Sequence, residues 1–148
     1  MKRTTPLWGL LPLLLLIMTC AAPRYASPIE ATDTARLCFG RGGGYTGLVS
    51  EYTLLPNGQI FKKGPDKTPS YTELRGVKKD QARQAFNNYE VLQLAELDFR
   101  HPGNLYYYIR YENKDEQHEI VWGDEQLKVD SKAKLFYNIL AAMVKDQQ

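Results

Sequence analysis

Short stretches rich in apolar, β-branched and aromatic residues recur along the chain, a pattern typical of β-strands. They cover residues 35–40, 48–55, 60–63, 105–112 and 119–122. Asn57-Gly58 lies between the second and third stretches, and both residues tolerate the positive φ angles of a tight turn. A polar segment, 113–118, joins the last two. The pattern predicts two β-hairpins, with 35–40 as a possible fifth strand.

Two longer stretches place apolar residues three or four positions apart, which is the spacing of one face of an α-helix. They run from Lys79 to Leu94 and from Ser131 to Lys145, and Asp130 or Ser131 can cap the second. The order β-β-β-α-β-β-α predicts an α+β fold. We expect an antiparallel sheet of four to five strands with both helices packed on one face.

The first 22 residues have the order of an export signal. Lys2 and Arg3 precede an apolar run over 7–18, which as a helix reaches only about 18 Å of a hydrocarbon core about 30 Å thick. A segment with prolines and no apolar period follows. The sequence therefore predicts a signal peptide over 1–19, a flexible tether over 20–34 and a single domain over 35–148.

The end of the leader, Ile17-Met18-Thr19-Cys20, resembles the lipobox of bacterial lipoprotein signals. The resemblance implies that a diacylglycerol is attached to Cys20, that the chain is cleaved before it, and that the new amino group is acylated. More than one acyl chain makes such an anchor stable. Ala21 after the cysteine implies sorting to the outer membrane of the cell envelope. The alternative is ordinary cleavage after Ala21 or Ala22, with no anchor.

Charge and cysteine content bear on nucleic acid binding and on the state of the two cysteines. Lys2 and Arg3 account for the net charge of +2, so the exported part is neutral and offers no electrostatic support for nucleic acid binding. Cys38 lies in an apolar stretch, which favours a core position over a reactive thiol. A disulfide between Cys20 and Cys38 would require that Cys20 escape both lipidation and removal.

Residues that could carry catalysis or bind a metal are sparse. The only histidines, His101 and His118, have no further ligand at metal-binding spacing. The chain has no Gly-x-Ser-x-Gly nucleophile motif. We therefore predict no enzyme activity, no catalytic or metal site and no cofactor.

Five glycines fall within residues 38–47. The run lacks the Lys-Ser/Thr pair of a P-loop, and it leads into a strand rather than the helix of a dinucleotide fingerprint. Three interpretations remain. The glycines form a β-connection that needs positive φ, or their amides form a small anion nest near Arg41, or a rigid loop presents Tyr45 to a partner.

Within this run, Gly43-Gly44-Tyr45-Thr46-Gly47 resembles the "GGFAG" opening of emfourin, a small protein inhibitor of thermolysin-like metalloproteases. Tyr45 stands for the Phe and Thr46 for the Ala. The resemblance implies that this loop, with Arg41 before it, binds a protein partner, which would be an exported metalloprotease.

Most of residues 37–144 is also similar to uncharacterised small lipoproteins of Bacteroidetes-type bacteria. The similarity rests on the same glycine motif, the Asn57-Gly58 hairpin and the segment Pro102-Gly103-Asn104-Leu105-Tyr106-Tyr107. It implies no activity.

Tyrosines are concentrated in the stretch 105–111. Strand alternation places Tyr106, Tyr108 and Arg110 on the face opposite to Ile109, whose apolar side chain marks the core side. Two tyrosines and an arginine on an open face are a composition enriched at binding hot spots. The alternative is that tyrosine lines the sheet only because it favours β-structure.

These observations predict a membrane-tethered envelope lipoprotein that acts as a small protein-binding module. Its expected partner is an envelope protein, bound through Arg41–Gly47 and the tyrosine face. The alternative is a structural lipoprotein without loop recognition.

Overall fold

The structure is a computed structural model that describes residues 23–145 of the 148-residue chain. The predicted signal peptide and the predicted lipidation site, Cys20, lie outside the described residues.

The described residues form seven strands and two α-helices. The strands are β1 (Arg36–Gly43), β2 (Ser50–Leu54), β3 (Ile60–Lys63), β4 (Tyr71–Glu73), β5 (Arg100–His101), β6 (Leu105–Glu112) and β7 (Gln117–Trp122). The helices are α1 (Lys79–Val91) and α2 (Ser131–Lys145), and a 3₁₀ turn, Leu94–Glu96, follows α1.

The strands form one sheet in the order β4-β3-β2-β1-β6-β7-β5. All neighbours are antiparallel except β5 and β7, which are parallel. The α+β class is confirmed, but the prediction of an antiparallel sheet of four to five strands is wrong because the sheet is mixed and has seven. The additional strands, β4 and β5, have three and two residues, too few to show a strand pattern in sequence.

The core lies between the helices and one face of the sheet. β1 is the central strand and contributes Leu37 and Phe39, which are buried with Ile109 of β6. Both helices add buried residues to this cluster: Ala82, Ala85 and Tyr89 from α1, and Ala133, Phe136, Leu140 and Val144 from α2. The segment predicted as a possible fifth strand, residues 35–40, therefore forms most of the central strand of the sheet.

The helix ends follow local chemistry. Asp130 Oδ1 accepts a hydrogen bond from the Lys132 backbone N–H at 2.9 Å, so Asp130 is the residue that caps α2. α1 ends at Val91 rather than at the predicted Leu94, because Gln93 has a φ of 53° and leaves the right-handed helical region.

The segment before β1, residues 23–34, lies against the β2–β3 turn. Ala31 is buried with Leu55 and Phe61 on the sheet face opposite to the helices. Gln59 holds the Tyr25 backbone twice, since its Oε1 accepts from the Tyr25 N–H and its Nε2 donates to the Tyr25 carbonyl, both at 2.9 Å. These are the described residues of the predicted tether, and the domain boundaries stay a prediction.

Candidate functional site

The β1–β2 loop, residues 44–49, carries three exposed large hydrophobic side chains, including Tyr45, the most exposed of those in the described chain. Tyr45 is fully exposed, and Leu48 and Val49 are 65% and 48% exposed. Leu105, which pairs with Gly43 at the end of β1, is also exposed at this end of the sheet. We call these four side chains the loop tip. Apolar groups clustered on a protruding loop are characteristic of interaction sites.

Hydrogen bonds fix the loop at its base. The Gly44 N–H donates to the Asn104 carbonyl at 2.7 Å, which ties the loop to the start of β6. The Gly47 N–H donates to the Gly44 carbonyl at 3.2 Å, so Tyr45 and Thr46 occupy the centre of a four-residue turn. Tyr45 thus projects from a backbone that is already ordered.

Two glycines of β1 allow groups of the neighbouring strands to pack closely against it. A Cβ atom on Gly42 would collide with the Tyr106 ring, and one on Gly40 would collide with the Ser50 carbonyl and approach the Tyr108 hydroxyl to 3.0 Å. Close packing therefore accounts for Gly40 and Gly42, whereas Gly43, Gly44 and Gly47 have the positive φ angles that the interpretation as a β-connection predicts.

A groove of about 410 Å³ crosses the sheet face opposite to the helices, and we call it the tyrosine groove. It begins at Val49 of the loop tip, and Tyr106, Tyr108 and Arg110 line it, together with Glu51, Arg100, Pro102, Glu119 and Val121. Alternation placed the two tyrosines and the arginine on this face. Tyr108 is buried, however, and Tyr106 and Arg110 are half-buried, so these side chains form the floor of a groove and do not project into solvent.

A row of alternating charges spans this face. Glu51 Oε1 lies 3.4 Å from Lys63 Nζ, and its Oε2 lies 3.2 Å from Arg110 Nη2. Arg110 Nη1 lies 3.5 Å from Glu119 Oε1, and Glu119 Oε2 lies 2.8 Å from Arg100 Nη1. The row links β3, β2, β6, β7 and β5 and holds the groove floor in one arrangement.

Glu51 is the hub of this row. Burial opposes its ionisation, but the hydrogen bond from Tyr108 at 2.7 Å and the charges of Arg110 and Lys63 outweigh burial, so the pKa of Glu51 lies below its ordinary value. Burial and the Glu51 carboxylate raise the pKa of Tyr108, so its phenol stays protonated and donates. The sequence reasoning missed Glu51, although a carboxylate within the apolar stretch 48–55 is a usable signal.

Glu51→Gln is expected to destabilise the protein at neutral pH by about 1.5–3 kcal/mol, the range for hydrogen bonds to a charged group. A carboxyl with a lowered pKa stabilises the fold above its unfolded pKa, and that contribution is lost as pH falls through the folded pKa. Urea unfolding should show a wild-type advantage at pH 7 that shrinks below about pH 4. The control, Glu125→Gln, changes an exposed carboxylate and should follow wild type. An advantage that persists at pH 2 would contradict the ionic role.

Cys38 is buried and lies 3.6 Å from the Thr53 hydroxyl. Burial raises the pKa of its thiol, so the thiolate is disfavoured. The prediction of a core position over a reactive thiol is confirmed.

The described residues contain no group of three or more His, Cys, Asp or Glu side chains placed to hold a metal ion. His118 lies between two partners, since its Nδ1 is 2.7 Å from the Tyr89 hydroxyl and its Nε2 is 3.1 Å from the Leu97 carbonyl. Across residues 23–145, no helix combines the length and apolarity needed to span a bilayer.

The fold and site define a small α+β domain. A loop that turns at glycines exposes Tyr45, and a polar groove begins beside this loop. The chain matches no protein-family model, and no curated protein matches it.

Proposed function

We propose that this chain is a lipid-anchored protein of the bacterial cell envelope, and that it acts as a protein-binding module through the loop tip and Arg41. The observation that carries the binding proposal is the full exposure of Tyr45 on a hydrogen-bonded turn. An aromatic side chain held on an ordered backbone loses little conformational entropy when it binds.

The surroundings of Tyr45 support the same conclusion. Leu48, Val49 and Leu105 are exposed apolar side chains at the same end of the sheet as Tyr45, and Arg41 is exposed three residues before the loop. The tyrosine groove begins at Val49 and supplies hydroxyl, guanidinium and carboxylate groups. An apolar anchor beside a polar rim is the usual composition of a specific protein interface. The anion-nest interpretation of the glycines receives no comparable support.

Tyr45→Ala is expected to weaken capture of the partner by tenfold or more, which is the effect of removing an interface anchor. Envelope extract would be passed over immobilised wild type and variant, and bound proteins would be identified and titrated. Leu48→Ala should weaken the same partner to a lesser degree. Val91→Ala removes an apolar side chain of α1 that is about as exposed as Leu48, and it serves as the matched control.

A partner list that is unchanged by Tyr45→Ala, with both proteins melting alike, would contradict loop recognition and favour the structural alternative. Val91→Ala losing the same partner would show that general surface apolarity is responsible.

The partner class suggested by the emfourin resemblance is an exported metalloprotease. A thermolysin-like protease assayed with micromolar wild type should lose activity, and Tyr45→Ala should restore it. Full protease activity at that concentration would remove this partner class and leave the binding module with another envelope partner.

A further inference from the structure

The N-terminal segment is fastened at one end of the sheet. The Pro23 carbonyl accepts a hydrogen bond from Asn57 Nδ2 at 2.8 Å, and Gln59 holds the Tyr25 backbone. Arg24 forms an ion pair with Glu73 at the same edge. All these partners belong to the β2–β3 turn or to β4. We call this end of the sheet, with residues 55–59 and the start of the segment, the anchor end.

The loop tip lies at the opposite end of the sheet. β2 runs from Ser50, which follows the loop, to Leu54, which precedes the β2–β3 turn. The neighbouring β1 has eight residues and therefore spans about 26 Å at ~3.3 Å per residue. Tyr45 and Pro23 consequently lie at opposite ends of the sheet.

A small basic groove opens beside Pro23 at the anchor end. It has a volume of about 170 Å³, and its lining includes Lys79 and Arg83, together with Pro23, Tyr25, Thr34, Leu55, Pro56 and Asn57. Lys79 and Arg83 are exposed, and neither has an ion-pair partner among residues 23–145. The described lining contains no carboxylate. Of the other basic side chains in the described sheet, Arg36, Lys63, Arg100 and Arg110 are paired, whereas Arg41 and Lys62 have no ion pair among residues 23–145.

We propose that the anchor end rests on the bilayer, that Lys79 and Arg83 contact the phosphates of lipid headgroups, and that the loop tip points away from the membrane. The proposal rests on the lipid anchor of the proposed function. Cys20 is three residues before Pro23, so a lipid on its thiol lies within about 11 Å of chain from the basic groove. At that distance the groove and the headgroup region are held at a high effective concentration.

This arrangement gives the two ends of the domain separate tasks. Basic side chains near an anionic surface strengthen membrane association, but a single contact is weak without an anchor. The anchor and the basic groove together fix the orientation, and orientation exposes Tyr45 to proteins of the envelope.

The first experiment measures orientation. A chain that begins at Cys20, and so retains every described residue, is coupled through this thiol to a maleimide lipid in vesicles. Cys38 is buried and does not compete. Tyr25→Trp and Tyr45→Trp place the same fluorophore at the two ends, and headgroup spin-labelled lipid is the quencher. We expect strong quenching of the fluorescence of the Tyr25→Trp protein. The Tyr45→Trp protein should show no quenching beyond that of the wild-type protein, which contains Trp122. Equal quenching at both ends would overturn the orientation.

The second experiment tests the basic groove with the same chain coupled at Cys20 to a single myristoyl chain, which alone binds membranes only marginally and reversibly, on vesicles containing phosphatidylglycerol. Lys79→Glu with Arg83→Glu should weaken binding by tenfold or more. The control, Lys62→Glu with Lys145→Glu, makes the same charge change at two exposed lysines outside the groove and should have a much smaller effect. Equal losses in the two pairs, or wild type that does not bind these vesicles, would overturn the headgroup contact.

Neither experiment uses the partner of Tyr45, and coupling to Cys20 is made chemically. A failure of partner capture leaves the expected quenching and vesicle binding unchanged. Conversely, equal quenching at both ends leaves capture by Tyr45 in solution intact.

Discussion

Replacing Phe136 with alanine is expected to lower the free energy of unfolding by about 3–5 kcal/mol, the range for deleting a buried aromatic ring. Phe136 is wholly buried, and its ring centroid lies 6.1 Å from that of Tyr89 on α1. The side chain therefore packs between the two helices, in the same buried cluster as Leu37, Phe39 and Ile109 of the sheet. Its loss leaves a cavity that the rigid sheet cannot close, so the lost contacts add to the lost hydrophobic transfer energy.

The preceding residue provides a matched control. Leu135 is on the same turn of α2 but is 57% exposed, so Leu135→Ala should change stability by less than about 0.5 kcal/mol. Urea unfolding of the two variants and wild type measures both values. Should Phe136→Ala unfold at the wild-type midpoint, the buried face of α2 would be assigned wrongly.

The positions of the long elements follow directly from the sequence. α2 begins and ends where its apolar spacing predicts, and β6 does so as well. These elements are amphipathic over eight residues or more, so the burial pattern is repeated often enough to be recognised. β4 and β5 owe their existence to pairing with β3 and β7, and nothing within three or two residues reports such pairing.

The sequence predicts features of the candidate site only where they depend on residues that are neighbours in the chain. Exposure of Tyr45 follows from a short turn between glycines, which the sequence displays. The hydroxyl of the buried Tyr108 donates to Glu51, which is 57 residues away in the chain and on another strand. Sequence alternation assigns Tyr108 to a face, but it cannot show which residue of another strand will accept a hydrogen bond from its hydroxyl.

The glycines within residues 38–47 also fall into two groups, one explained by contacts with other strands and one by the backbone of the loop itself. Gly40 is required by the Ser50 carbonyl of β2 and Gly42 by the Tyr106 ring of β6, which are tertiary causes that the sequence does not reveal. Gly43 and Gly44 have φ angles of 88° and 72°, a backbone requirement of the loop itself. The two kinds of glycine can be separated by substitution.

Gly43→Ala is expected to destabilise the protein by about 2–4 kcal/mol, because it combines two costs. Alanine is strained at a φ of 88°, and its Cβ would collide with the Asn104 carbonyl oxygen. That oxygen also accepts the hydrogen bond from the Gly44 N–H, so the collision displaces the atom that ties the loop to β6. The loop tip should lose its fixed position as a result.

Gly44→Ala measures the backbone strain of alanine at a positive φ without the collision. Its φ of 72° is also unfavourable for alanine, but a Cβ there would have open space around it, so only about 1–2 kcal/mol is expected. Urea unfolding should rank the variants as wild type, Gly44→Ala and Gly43→Ala in order of falling stability. Amide exchange at residue 44 should accelerate only in Gly43→Ala, where the bond to Asn104 is disturbed. Equal destabilisation with equal exchange would mean that backbone strain alone accounts for both glycines, and that Asn104 does not hold the loop in place.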